Sequence, residues 1–96
     1  MTQETRDLDI ACGTGLAVQL VSERGARVTG LDASRRLIAL AAARTPHADL
    51  RVGDMFVLPF EAASCDVATS FRGIWGTCLG ALHEARRVVR PGGKVV

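Results

Sequence analysis

Apolar residues come in short bursts, each followed by a turn or by a helical spacing. Leu8 to Ala11 reads as a short buried strand. Leu16, Ala17, Leu20 and Val21 then sit at helical spacing, with Gly25 as the stop. Arg27 to Leu31 is the next strand, carrying Val28 and Leu31. Ser34 is placed to cap a helix that runs through Arg44 and ends before Pro46. Asp49 to Val52 is a weakly marked strand and Cys65 to Ser70 a stronger one. Leu79, Leu82, Val88 and Val89 mark a third helix, which Pro91-Gly92-Gly93 should end, and Lys94 to Val96 begins a last strand. The order is β-α-β-α-β-loop-β-α-β with no internal repeat. Such alternation predicts an α/β fold: a parallel sheet, helices on its faces, right-handed crossovers.

The first strand-to-helix turn, Ala11-Cys12-Gly13-Thr14-Gly15, is where chemistry is expected. Ligands of open α/β sheets bind beyond the C-terminal strand ends. Gly13 and Gly15 permit a tight turn and leave backbone N–H groups open to a ligand at a helix N-terminus. Asp9 is an acid inside a strand that should be buried, so it needs donors, and the N–H groups of the following loop are the expected source. The plain alternative is a turn that merely requires glycine. A second acid, Asp32, ends the next strand 17 residues after Gly15. A carboxylate there accepts from both hydroxyls of a ribose. Its other reading is a cap ahead of Ser34, and Gly30 beside it favours close approach of a ligand. A dinucleotide fingerprint wants a third glycine where Val18 stands. An adenosine ligand without phosphates therefore fits better.

Composition narrows the classes. The 96 residues allow a single domain, 1–96, of ordinary globular make-up, 48% hydrophobic and 23% charged. A chain this short buries only about two-thirds of its unfolded surface, so marginal stability is expected. A net charge of +2 gives no argument for nucleic acid. No apolar run is long enough to span a membrane, and the polar start shows no signal peptide. Cys12, Cys65 and Cys78 are odd in number and widely spaced, which argues against a disulfide framework or a zinc site and for the cytoplasm.

Five stretches in order resemble the class I S-adenosylmethionine-dependent methyltransferases, in the small-molecule branch that includes the quinone-biosynthesis enzymes. They are "LDIACGTG", with Ala11 where the family's first glycine is usual, "VTGLDAS", "VGDMFVLPF", "CDVATSF" and "LHEARRVVRPGGKVV". The resemblance covers Leu8 to Val96. It implies a Rossmann-like sheet of order 3-2-1-4-5, with the later strands missing, and S-adenosyl-L-methionine as cofactor. Ala11, Gly13 and Gly15 would then face the methionine part, Asp32 the ribose, Ala33 the adenine, and Asp54 with Met55 the adenine edge. Ser70, Phe71 and Arg72 would border the methionine and a small-molecule acceptor.

"FRGIWGT", residues 71–77, is the most individual stretch. Arg72 and Trp75 are either acceptor contacts or, respectively, a surface residue and a loop anchor. No residue stands out as a general base. Since family members usually carry helices before the first strand and further strands after the fifth, the resemblance implies a partial domain. A bare fifth-strand edge with Val95 and Val96 is then a surface for self-association. Three readings follow: a methyltransferase core, a non-catalytic remnant that binds the cofactor weakly or acts only by association, and a nucleotide-binding oxidoreductase fragment, which Val18 disfavours.

Overall fold

A computed structural model describes residues 4–70 and 79–96. It contains β1 (Arg6–Ile10), α1 (Leu16–Glu23), β2 (Arg27–Asp32), α2 (Arg35–Arg44), β3 (Asp49–Val52), β4 (Cys65–Thr69), α3 (Leu79–Val88) and β5 (Val89–Val95). The five strands form one sheet of order β3-β2-β1-β4-β5. Every neighbouring pair is parallel. The parallel pairing is what the alternation predicts, and the order is the Rossmann-like one that the resemblance implies.

Alternation along β1 divides the core. Leu8 and Ile10 point to the face where Leu31, Ala68, Leu58 and the α3 residues Ala85 and Val88 pack. The other face carries Val28 and is covered by Val18 and Val21 of α1 and Ile38 of α2. Asp7 and Asp9, offset by one from the leucine and isoleucine, belong to that second face. Both are only 2% exposed.

Three elements differ from their expected form. In α1 the residue fully buried is Val18, while Leu16 and Leu20 are 56% and 51% exposed. Val18 turns inward because Gly30 of β2 leaves room for it: a methyl group on Gly30 would lie 3.0 Å from Val18 Cγ2. Strand β1 begins at Arg6 and stops at Ile10, since Ala11 leaves the strand at φ 57°. Most changed is the end of the chain. Val89 belongs to β5 and not to the helix, and the strand runs on through Pro91-Gly92-Gly93. The register jumps from Cys65↔Val89 to Val67↔Lys94, so β5 spends five residues where β4 spends two. Proline has no ladder donor and Gly92 sits at φ 82°, so these residues form a bulge and the strand resumes beyond it.

The helix ends follow local chemistry. Ser34 Oγ accepts from Leu37 N–H at 3.1 Å and caps α2, which stops one residue short of the Thr45-Pro46 step. Gly25, at φ 88°, ends α1. Among the described residues no helix is long and apolar enough to cross a membrane.

Candidate functional site

The C-terminal ends of β1, β2 and β3 meet in a hollow of about 370 Å³. Ala11, Asp32, Ala33, Asp54 and Met55 all line it, with Leu31, Gly53 and Phe56. Five of the residues singled out in the sequence are thus brought into one wall. A second hollow, of about 710 Å³, lies over α1 and is lined by Asp9, Ala11, Gly13 and Thr14, with Leu16 and Leu20 along one side. Ala11 is common to both.

Asp32 ties the first hollow together. Its Oδ2 accepts from Gly13 N–H at 3.0 Å and its Oδ1 from Ser34 N–H at 2.9 Å. The bond to Ser34 N–H closes a local turn ahead of α2, whose cap is Ser34 itself and not Asp32. A carboxylate has about four acceptor sites. Two backbone donors leave each oxygen with capacity for a hydroxyl, the pattern a vicinal diol needs. Asp54 behaves alike: Oδ1 accepts from Phe56 N–H at 2.8 Å in a local turn, and the exposed carboxyl keeps further acceptor capacity.

The N–H of the glycine loop goes to Asp32, so it does not serve Asp9 as the sequence suggested. Asp9 Oδ1 instead accepts from the Thr69 hydroxyl of β4, at 3.0 Å. Burial raises its pKa to about 6 against that bond. Asp7 belongs by sequence to the polar start of the chain, yet it is buried in the central strand, and among the described residues neither carboxyl oxygen has a hydrogen-bond partner. Burial first, and the neighbouring Asp9 second, raise its pKa to about 7.

The two loop glycines differ in surroundings. Gly13, at φ 58°, faces open space. Gly15, at φ 82°, has Ala41 of α2 where its own side chain would be, 2.7 Å from the ideal Cβ position. It sets the approach of α1 to α2. Gly30 is likewise a packing glycine, enclosed by Leu50, Val18 and Cys12 and not by open space for a ligand. Ser70 lies at the end of β4, its hydroxyl donating to Ile10 O at 2.9 Å. Phe71, Arg72 and Trp75 lie outside the described residues.

Several contributors carried no periodic signal. Thr69 was unmarked in sequence. Arg87 sits near the end of α3, where a basic residue complements the helix dipole, and its guanidinium also reaches Leu58 O and Phe60 O. Arg90, placed in the helix by the pattern, sits on β5 and pairs with Asp66 at 2.6 Å. Cys12 and Cys65 are free and buried, and burial pushes their thiols up to about 12 and about 11. His47 and His83 are exposed. Among the described residues no cluster of three or more potential ligands could hold a metal ion.

The methyltransferase-domain family pattern matches residues 8–96. A probable S-adenosylmethionine-dependent methyltransferase of Mycolicibacterium smegmatis is 37% identical over 90% of this chain and 34% of its own length. Demethylmenaquinone methyltransferase of Renibacterium salmoninarum is 37% identical over 95% of this chain and 39% of its own. A chain from the Haloferax volcanii complex of the Trm112 methyltransferase activator with a methyltransferase superposes with a TM-score of 0.87 at 30% identity, covering 97% of this chain and 44% of that one. This chain thus spans well under half the length of each. It belongs to the methyltransferase-domain family, within the class I S-adenosylmethionine-dependent methyltransferases. S-adenosylmethionine is the cofactor of that class, and the acceptor pattern of Asp32 beside the first hollow fits its ribose.

Proposed function

We propose that the chain is the cofactor-binding core of a methyltransferase acting on a small molecule. The observation that carries this is Asp32, which closes the glycine loop and faces a hollow shared with Ala11, Ala33, Asp54 and Met55. Asp32 accepts from the ribose hydroxyls, Ala33 lies along the adenine, and Asp54 with Met55 meets its edge. Ala11 and Gly13 lead toward the methionine end, with Gly15 holding the turn behind them. Asp9, buried beside the second hollow, supports the strand from which this turn departs. Ser70 opens the acceptor side, where Phe71, Arg72 and Trp75 are proposed to contact the acceptor.

The cofactor brings a methyl group already activated on a sulfonium, so the protein's share of catalysis is placement. The second hollow shares Ala11 with the first and carries Gly13, so it supplies room at the methionine end. The named acceptors of the relatives are theirs, and the acceptor here is proposed only as a small molecule. The buried thiols of Cys12 and Cys65 support a reducing, cytoplasmic setting. Val95, at 38% exposure on the outer strand β5, supports self-association, which sedimentation measures.

Calorimetry with S-adenosylhomocysteine, NAD and ATP tests the ligand. Tightest binding of S-adenosylhomocysteine is expected, and preference for NAD would overturn the reading. The competing view, a remnant that binds without turnover, is separated by a methyl-transfer assay over a panel of small acceptors.

A further inference from the structure

The wall of the first hollow is not held by the sheet alone. Between β3 and β4 the chain runs without regular strand or helix, and residues 53–56 of that run line the hollow. Farther along the same run, α3 grips the backbone. Glu84 Oε1 accepts from Leu58 N–H at 2.8 Å. Arg87 donates through Nη2 to Leu58 O at 3.1 Å and through Nη1 to Phe60 O at 2.9 Å. Glu84 and Arg87 are themselves paired one turn apart, Nε to Oε2 at 2.6 Å, which aims the planar guanidinium at the two carbonyls. Nearer the hollow, Phe56 rests on the start of α3. A methyl group on Gly80 would sit 3.1 Å from Phe56 Cδ1.

We infer that Glu84 and Arg87 are positioning residues for the cofactor: by fixing the backbone of residues 58–60 they set the adenine-side wall of Asp54, Met55 and Phe56. The inference rests on the reading of this hollow as the adenosine site. Neither residue lines the hollow, so each acts through the segment it holds. An exposed ion pair by itself contributes little. Here it also satisfies one N–H and two carbonyls of a segment that has no strand ladder to do so. Its loss loosens the wall and leaves the sheet intact.

The test uses the 96-residue chain with two probes, S-adenosylhomocysteine and 5′-methylthioadenosine, which share the adenosine half. Calorimetry gives affinities and thermal melting gives stability. Arg87→Ala and Glu84→Ala are expected to weaken both probes by the same factor, roughly tenfold or more. Arg87→Lys, which still reaches one carbonyl, falls between. Gly80→Ala keeps the ion pair and favours the helix, so the melting temperature holds. The new methyl displaces Phe56 by a few tenths of an ångström, so both probes should change affinity together. Arg87→Lys, which keeps the charge and one carbonyl bond, decides the matter should Arg87→Ala not fold: affinities for both probes equal to the parent chain's would overturn the inference. Lower melting temperatures with unchanged affinities would reduce the contacts to a structural pin and overturn the inference. So would loss of S-adenosylhomocysteine affinity alone. Asp32→Ala separates the two levels. If it binds both probes like the parent chain, the adenosine reading fails and the inference with it. If it is weakened while Glu84→Ala and Arg87→Ala are not, the inference alone fails.

Discussion

The backbone N–H of Gly13 donates to Asp32 Oδ2 across 3.0 Å, joining the turn after β1 to the end of β2. One carboxylate therefore shapes the loop and faces the hollow. Replacing Asp32 by Ala removes two proposed charge-assisted bonds to a ribose and also frees the Gly13 and Ser34 donors. The expected cost is roughly 2–4 kcal/mol of S-adenosylhomocysteine binding. A second acid on the sheet serves as control, and Asp66 is unsuited to it, because it accepts from Arg6 N–H at 2.8 Å and pairs with Arg90. Asp49→Ala serves better: among the described residues its carboxylate pairs with Arg51, at 3.1 Å, on an exposed stretch of β3. Equal loss in both variants, by calorimetry, would refute the ribose assignment.

Stability should fall as pH rises from about 4 to 7. Asp7 and Asp9 keep their protons in the folded chain up to about 7 and about 6, whereas the unfolded chain releases them near 3.8, the ordinary value for an aspartate. Over that window the unfolded state binds fewer protons, so unfolding is favoured. Asp66 works in the opposite sense. The Arg6 N–H and the Arg90 and Arg6 guanidiniums lower its pKa to about 2, so its contribution is lost as pH drops from about 4 toward 2. Asp7→Val should be stabilising at pH 8, by on the order of 3 kcal/mol, with the gain shrinking toward pH 4. Denaturant titrations across pH check it. A gain that does not change with pH would mean that Asp7 is ionised in the fold.

Ala11 occupies φ 57°, where the Cβ of an L-residue is crowded by the backbone. Ala11→Gly relieves that strain but adds freedom to the unfolded chain. The two together predict stabilisation of up to about 1 kcal/mol, seen as a higher denaturation midpoint. A lower midpoint would show that the Ala11 methyl packs usefully between the two hollows.

The alternation of apolar bursts with helical spacing carried the parallel sheet, because each strand and its helix bury one another locally in sequence. Asp32 was legible for the same reason: the end of a strand is visible where the apolar run stops. Asp7 was hidden, since its burial depends on β2 and β4 flanking β1 and not on its neighbours in sequence. The Glu84 and Arg87 bonds to Leu58 span more than twenty residues without any period. Pro91-Gly92-Gly93 looked like a terminator because sequence reports the missing donor and the turn, but not that a bulge lets the strand continue.

Val18 and Gly30 divide between them what a glycine on the helix does in dinucleotide folds. There the helix residue is small and the strand approaches it. Here the helix carries the bulk, fully buried, and the strand carries the glycine. A methyl group at position 30 would meet Leu50 Cδ2 at 2.8 Å, Val18 Cγ2 at 3.0 Å and Cys12 Sγ at 3.1 Å. Gly30→Ala should therefore destabilise by roughly 1–3 kcal/mol through overpacking. Val18→Ala alone should cost about 1–3 kcal/mol by opening a cavity. The double variant should lose less than the sum, because the cavity accepts the new methyl. A double-mutant cycle by urea unfolding measures that coupling. Strict additivity would show that Leu50 and Cys12, and not Val18, enforce the glycine.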